Sequence, residues 1–371
     1  MLVGDHLGRV ETEALLEMGR LDGALMYCMG APESIYAGLA LRQTLIGALR
    51  QEGHAFTETR FQAWFAGLTT LSDDPSHKAR PPRAVCEAIL TELTHSAWPV
   101  LARTAASLIS ALLAPHDLQS PDAAVELHTV NAHARAMVDA LGAAALTPLP
   151  ALDALHHAVA QSTVFAAVER AEPALKLVRA DMRSDPHQAP RWAVEMLYGS
   201  CLQSAGALHH PIPLVGLIRP DTAGDMEPGE ARIIRAATLC EIMSTQLAML
   251  AHASRQSKRA GALDTRSTSR APDVLALLSG FGAMRSAQIE RVLKATRLGV
   301  RGMVQLLLTA GEIEQTTVSG AHLYAVRTHP SDRLGITAPL EEAFSDDAMD
   351  EYDASMAQID RLLNNAASLQ R

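Results

Sequence analysis

A chain of 371 residues that is 48% hydrophobic but only 4% aromatic has room for one large domain and a small one, or for three small ones, and its Ala and Leu content favours an all-α fold. A net charge of -9 argues against nucleic acid for the chain as a whole, and no run of about 18 charge-free apolar residues marks a membrane span. The start "MLVGDHLGRVETEALLEMGR" lacks the pattern of a secretory signal, and Cys28, Cys86, Cys201 and Cys240 form no C-x-x-C pair, which argues against zinc or a disulfide framework and for a cytoplasmic protein.

In chain order, residues 5–52 read as helices, with Ile35, Leu39, Leu45, Ile46 and Leu49 near one face. Gly53 suits a helix stop, and Thr57 a cap for the helix in "FTETRFQAWFAGL". Residues 68–83 are a loop rich in breakers. A helix over 84–113, interrupted at Pro99, precedes a break at Pro115, and Pro121 suits the first position of a helix that ends at Gly142. More helix follows, with Pro173 as a break or kink. Residues 209–231, with four prolines and three glycines, read as an ordered connection, and 229–252 as helix. Residues 1–252 are thus an α-helical domain, with a division into two near 115–121 or 143–150 left open.

The charge is unevenly spread. Residues 252–330 carry 11 Lys and Arg against 5 Asp and Glu, between acidic flanks. Such an island calls for an explanation. Its first part, "SRQSKRAGALDTRSTSRAP", is polar and basic with too little apolar surface to order itself. Residues 253–271 are therefore expected to be a flexible basic linker.

Residues 272–329 carry a mechanism. A helix over about 272–279 presents Val274, Leu275, Leu277 and Leu278, and a glycine-containing break follows. Ser286 suits the cap of a second helix with Ile289, Val292 and Leu293 on one face. Thr296 suits the cap of a third, about 297–310, ended by Gly311. Val300, Met303, Val304 and Leu307 form its apolar stripe; Arg297, Arg301 and Gln305 lie outward, four apart. Ile313 to Val318 and His322 to Val326 read as a strand pair about Ser319-Gly320.

Helix, helix, short turn, helix, hairpin is the order of a winged helix-turn-helix. "LKATRLGVRGMVQLLLTAGEIEQ" resembles the recognition-helix segment of bacterial winged-helix regulators. The whole arrangement is similar to a bacterial family of rhizobial plasmid type, with a helical N-terminal domain of unknown function and this C-terminal module. The resemblance implies sequence-specific binding of double-stranded DNA, as in transcriptional regulation or plasmid maintenance, and no enzymatic activity or cofactor.

The chemistry agrees. The third helix of such a motif enters the major groove with its N-terminal residues nearest the base edges. Arg297 and Arg301 lie at that end and suit guanine O6 and N7. Gln305 shares their face, and His322 lies on the hairpin. Thr296, Lys294 and Arg285 are placed for phosphates. Arg255, Lys258, Arg259, Arg266 and Arg270 of the linker suit phosphate or minor-groove contacts. The rival reading is a protein-interaction scaffold in which these arginines are a solvated face. Glu290, Glu312 and Glu314 would repel phosphate if they pointed at it.

Other chemistry finds little support. Fifteen histidines include the adjacent pairs His156-His157 and His209-His210, but helical neighbours point about 100° apart and do not converge on one metal ion. His210-Pro211 resembles the start of the Fic-type AMP-transferase loop but lacks its glycines and arginine, which leaves a degenerate, inactive relative as a further alternative. "RFQAW" (60–64) reads as an Arg and a Trp packed together. Residues 330–371 are acidic, and Phe344, Ala348, Tyr352, Met356, Ile359 and Leu363 recur as one helical face. That helix either pairs with a second copy, docks on the N-terminal domain or covers the basic segment. A homodimer through 344–363 or through the N-terminal domain suits a two-fold DNA site. No membrane contact is expected, and no small-molecule effector can be named.

Overall fold

Prolines open the helices of this chain. In the computed structural model, which describes residues 2–73, 79–115, 121–144, 147–166, 189–219, 227–263 and 269–327, Pro82, Pro99, Pro121, Pro148 and Pro228 each occupy a first helical position. The N–H that proline lacks would have no partner there anyway. Pro99 therefore separates two helices where the sequence suggests one interrupted helix.

The described residues form twelve helices and one hairpin. The helical body comprises α1 (Leu2–Met26), α2 (Ala31–Gln51), α3 (Glu58–Phe65), α4 (Pro82–Leu93), α5 (Pro99–Ala111), α6 (Pro121–Ala143), α7 (Pro148–Gln161), α8 (Arg191–Ser204) and α9 (Pro228–Gly261). After it come α10 (Ala271–Phe281), α11 (Ser286–Leu293), α12 (Arg297–Thr309) and the strands β1 (Ile313–Val318) and β2 (Ala321–Val326). The class is mainly α, as the sequence predicts. Residues to Arg327 form one unit. The body does not divide at 115–121 or 143–150, because α6 packs on α4 as well as on α7 and α8. The tail 330–371, including its 344–363 helix, lies outside the described residues, as do Pro173 and Arg266.

Helix α2 is the hub, touching α4, α5, α8, α9 and α10. Its Tyr36, Leu41, Leu45 and Leu49 are buried, and Tyr36 Oη donates to the Gln246 side chain on α9 at 2.8 Å. Thr57 caps α3 as expected, accepting from Arg60 N–H. In "RFQAW" the arginine and tryptophan part company. Arg60 turns to Asp73 and Thr70, while Trp64 joins Phe61 and Phe65 in the core. The described part of the connection after α8, up to Arg219, contains no strand, and Pro213, Leu214, Leu217 and Ile218 in it are buried.

The largest departure from expectation is α9. It continues through residues 253–261, where the sequence predicts a flexible linker. Ala253, Gln256 and Ala260 supply a narrow buried stripe at helical spacing. Alanine is the best helix former, and these small faces let α9 lie against α10. Order here comes from the neighbours rather than from bulky apolar side chains. By length and composition α9 is also the one helix among the described residues that could cross a membrane. In this fold its apolar side packs on α1 and α2.

The C-terminal segment sits directly on the body. α10 crosses α2 where Gly38 and Gly280 meet. A Cβ on Gly38 would lie 3.1 Å from Gly280 backbone atoms, and one on Gly280 would lie 2.9 Å from Ile35 O. Gly280→Ala is expected to lower stability by about 1–3 kcal/mol through overpacking. Gly302→Ala on α12, where an added Cβ meets nothing within 4 Å, is expected to raise it by up to about 1 kcal/mol. Chemical denaturation of the two variants reads both signs.

Candidate nucleic-acid interface

Histidine, glutamate and arginine do converge within the body. Glu52 accepts from Trp192 Nε1 at 2.6 Å and from Arg80 Nη1 at 3.1 Å. Arg80 also pairs with Glu126 at 2.9 Å, and its backbone oxygen meets His54 Nε2 at 2.9 Å. Nearby, Glu195 accepts from Gln51 Nε2 at 2.6 Å and from the N–H groups of Gly216 and Ile218 at 2.9 and 2.6 Å. Burial pushes its carboxyl above the usual range, against the pull of those donors. Glu52, His54, Arg80 and Glu195 are each 5% exposed or less. Closed to solvent and bonded in two neighbouring sets, one around Glu52 and Arg80 and one around Glu195, these groups fasten α2, α8 and the segments around them.

The adjacent histidines diverge, His156 and His157 by the geometry of α7 and His209 and His210 outside any helix. His156 is buried and His157 exposed; His209 bonds Asp22 while His210 stacks on Trp98. Among the described residues no three His, Cys, Asp or Glu are grouped to hold a metal.

The basic segment is built differently. Gly282, at φ 107°, ends α10, and Met284 then pairs with Tyr324 of β2 through two backbone hydrogen bonds of 3.0 and 2.9 Å. Arg285, not Ser286, is the residue that caps α11. Its N–H donates to Gln288 Oε1 at 2.9 Å, so the helix start is fastened by a glutamine three residues on rather than by a serine hydroxyl. Lys294 closes α11 in the left-handed region, φ 48°, a conformation that costs an L residue roughly 1–2 kcal/mol. Thr296 caps α12 as predicted, accepting from Gly299 N–H at 3.2 Å. Val300, Val304 and Leu307 face inward, and Gly311 (φ 73°) follows its end. Positive φ at both Ser319 and Gly320 makes the tight hairpin turn whose twist suits paired strands.

The segment is held to the body by buried polar and aromatic contacts. Gln288 has no exposure, and its Nε2 donates to Ala111 O at 2.8 Å and Phe65 O at 3.4 Å. Gln62 Nε2 donates to Phe281 O at 2.9 Å. Phe281 meets Phe65 at 4.7 Å and Phe61 at 6.2 Å between ring centres. Leu323 of β2 packs on Ala63 and Ala66.

This anchoring sorts the predicted contact residues. Arg297, Arg301, Gln305, Lys294 and Thr296 are exposed together on or just before α12. His322 is exposed on the hairpin, its Nδ1 within 3.1 Å of Gln315 and Thr317 side chains. Arg285 is not free for phosphate, because its guanidinium donates to Ala66 O at 3.1 Å. Of the supposed linker cations, Arg255 and Lys258 are exposed on α9. Arg259 binds Glu312 and Arg327 O, and Arg270 binds Asp273 and Leu293 O. These two brace the fold instead of extending a loose arm. The Arg259 pair also neutralises Glu312, one of the carboxylates that threatened the interface.

Two features were missed in the sequence reading. Gln288 carries no signal in the sequence, since nothing in its spacing marks the two carbonyls it serves. Leu298, passed over as part of a helix start, is 80% exposed.

Comparison with known proteins returns no matching family model and no matching curated protein.

Gln288→Ala removes the donor for two carbonyls at a buried seam and is expected to cost about 2–3 kcal/mol in urea unfolding. His156 is pushed down to about 4, first by burial and then by Arg235. The native state therefore binds fewer protons there than the unfolded chain, whose histidine titrates near about 6.5. The stability tied to its neutral form is present above that value and is lost as pH falls toward 4. Between those limits the wild type is expected to lose on the order of 2 kcal/mol more than His156→Leu, read from unfolding curves at stepped pH.

Proposed function

We propose that residues 271–327 are a winged helix-turn-helix and that the protein binds duplex DNA sequence-specifically, with α12 in the major groove. The observation that carries this reading is the outward face of α12. Lys294, Arg297 and Arg301 are exposed there, none enters an ion pair among the described residues, and α12 itself carries no carboxylate. A helix N-terminus adds its own positive end to that charge. The single-residue bridge from Met284 to Tyr324 also supports the reading, since it ties the connection between the first two helices of the module to the hairpin.

In this reading Arg297 and Arg301 donate to guanine O6 and N7, and Gln305 suits adenine N6 and N7. Lys294 holds a phosphate. Thr296 does so through its hydroxyl proton, which is free because the oxygen already accepts from Gly299. His322 addresses the backbone from the hairpin. Among the described residues, Arg255 and Lys258 on α9 are the cations of the predicted linker that remain available to phosphate. The biological role that fits is bacterial transcriptional regulation or plasmid maintenance in the cytoplasm, by a homodimer on a two-fold site. A second reading, a protein-binding scaffold, draws on the turn after α1, where Met26, Tyr27 and Met29 are 45%, 87% and 78% exposed.

Arg297→Ala with Arg301→Ala is expected to leave the fold intact and to weaken duplex binding about 10- to 100-fold, with a shallower dependence on salt. Binding of random and selected duplexes by both proteins, followed by fluorescence anisotropy, decides the matter. Equal retention by wild type and double variant overturns the groove-reading assignment, and no binding by either favours the scaffold.

A further inference from the structure

The first turns of α12 leave few side chains able to reach a base. Gly299 and Gly302 have none, Val300 and Val304 are buried, and Met303 is half-buried. What projects is Arg297, Leu298 and Arg301, with Gln305 a turn further on. Leu298, the most exposed large apolar side chain after Tyr27, lies near the middle of this outward face, because residues 298, 301, 302 and 305 share one side of a 3.6-residue helix. Gly302 follows it by four residues, and a Cβ there would meet nothing. The bare backbone beside Leu298 lets the helix lie close to whatever it faces.

A leucine can neither donate nor accept a hydrogen bond, so among base edges in the major groove it has one complementary feature, the 5-methyl group of thymine. Its surroundings favour nucleic acid over an apolar partner. Lys294, Arg297 and Arg301 lie around it with no ion-pair partner among the described residues, and burying such cations against an apolar surface would be costly. Resting on the DNA-binding reading above, we propose that Leu298 is a specificity-determining residue that reads a thymine methyl, so that the site bound by α12 holds a thymine beside the guanine contacted by Arg297 or Arg301.

The test starts from the duplex selected from a random pool by the full-length wild type. Each thymine in turn is replaced by deoxyuridine, which removes the methyl and keeps the pairing. At one position per half-site the change is expected to weaken wild-type binding about fourfold, the worth of one buried methyl. The same change is expected to leave Leu298→Ala unaffected, and that variant should accept other bases at the position. Its side chain supports nothing in the fold, so unfolding of Leu298→Ala should match the wild type. If the wild type selects a duplex but tolerates deoxyuridine everywhere, or if Leu298→Ala is as sensitive as the wild type, the thymine assignment falls while the DNA-binding reading stands. If the wild type selects no duplex at all, both fall together.

Discussion

Gln288 settles how the basic helix is presented. Its amide is sealed between α11, α3 and α5 and gives both of its protons to main-chain oxygens of the body. Its carbonyl accepts from the N–H of Arg285, the cap residue of α11. A buried amide with all of its groups in use tolerates little displacement, since any shift leaves a desolvated polar atom without a partner. Gln62, reaching the other way to Phe281 O, doubles the constraint. The orientation of α11 fixes that of α12 through the tight connection at Lys294 and Ala295. The exposed arginines are thus displayed by the body and not merely attached to it.

The scarce aromatic residues are spent at the same seam. Phe61, Trp64, Phe65 and Phe281 form one continuous cluster. This joint between body and basic segment therefore resembles a domain core more than a contact between separate modules. The acidic composition of the whole chain is accordingly a poor guide to the charge of any one face. Charges more than about 8 Å apart across solvent are largely screened at physiological salt, so an uncompensated tip can stay positive on an acidic protein.

Much of the fold was legible in the sequence, and the reasons differ by element. The caps at Thr57 and Thr296, the strand pair with its Ser319-Gly320 turn and the inward stripe of α12 follow from local rules that need no partner. The opening of helices at proline is equally local, although Pro99 could be read either as an interruption or as a start. Apart from the cap of α11, where Arg285 and Gln288 take the place expected of Ser286, the failures involve partners distant in the chain. Residues 253–261 look like a linker because their own apolar surface is small, yet Ala253, Gln256 and Ala260 need only a closely fitting neighbour. Arg259, Arg270 and Arg285 look like phosphate ligands because their acceptors, Glu312, Leu293 O and Ala66 O, lie far along the chain or on main-chain atoms that no spacing rule reveals. Within the candidate site, polar residues were found by type, and Leu298 was missed because an apolar residue near a helix start is assumed to face inward.

Helix α9 extends from Arg232, paired with Glu11 and Asp153, to Arg259, paired with Glu312 at the root of the hairpin. Its 34 residues span about 50 Å as an unbroken rod. A flexible tether would leave the basic segment free to turn. A rod hands that decision to the far end, so the contacts of α1 and α7 help set the direction in which the exposed arginines of α12 point.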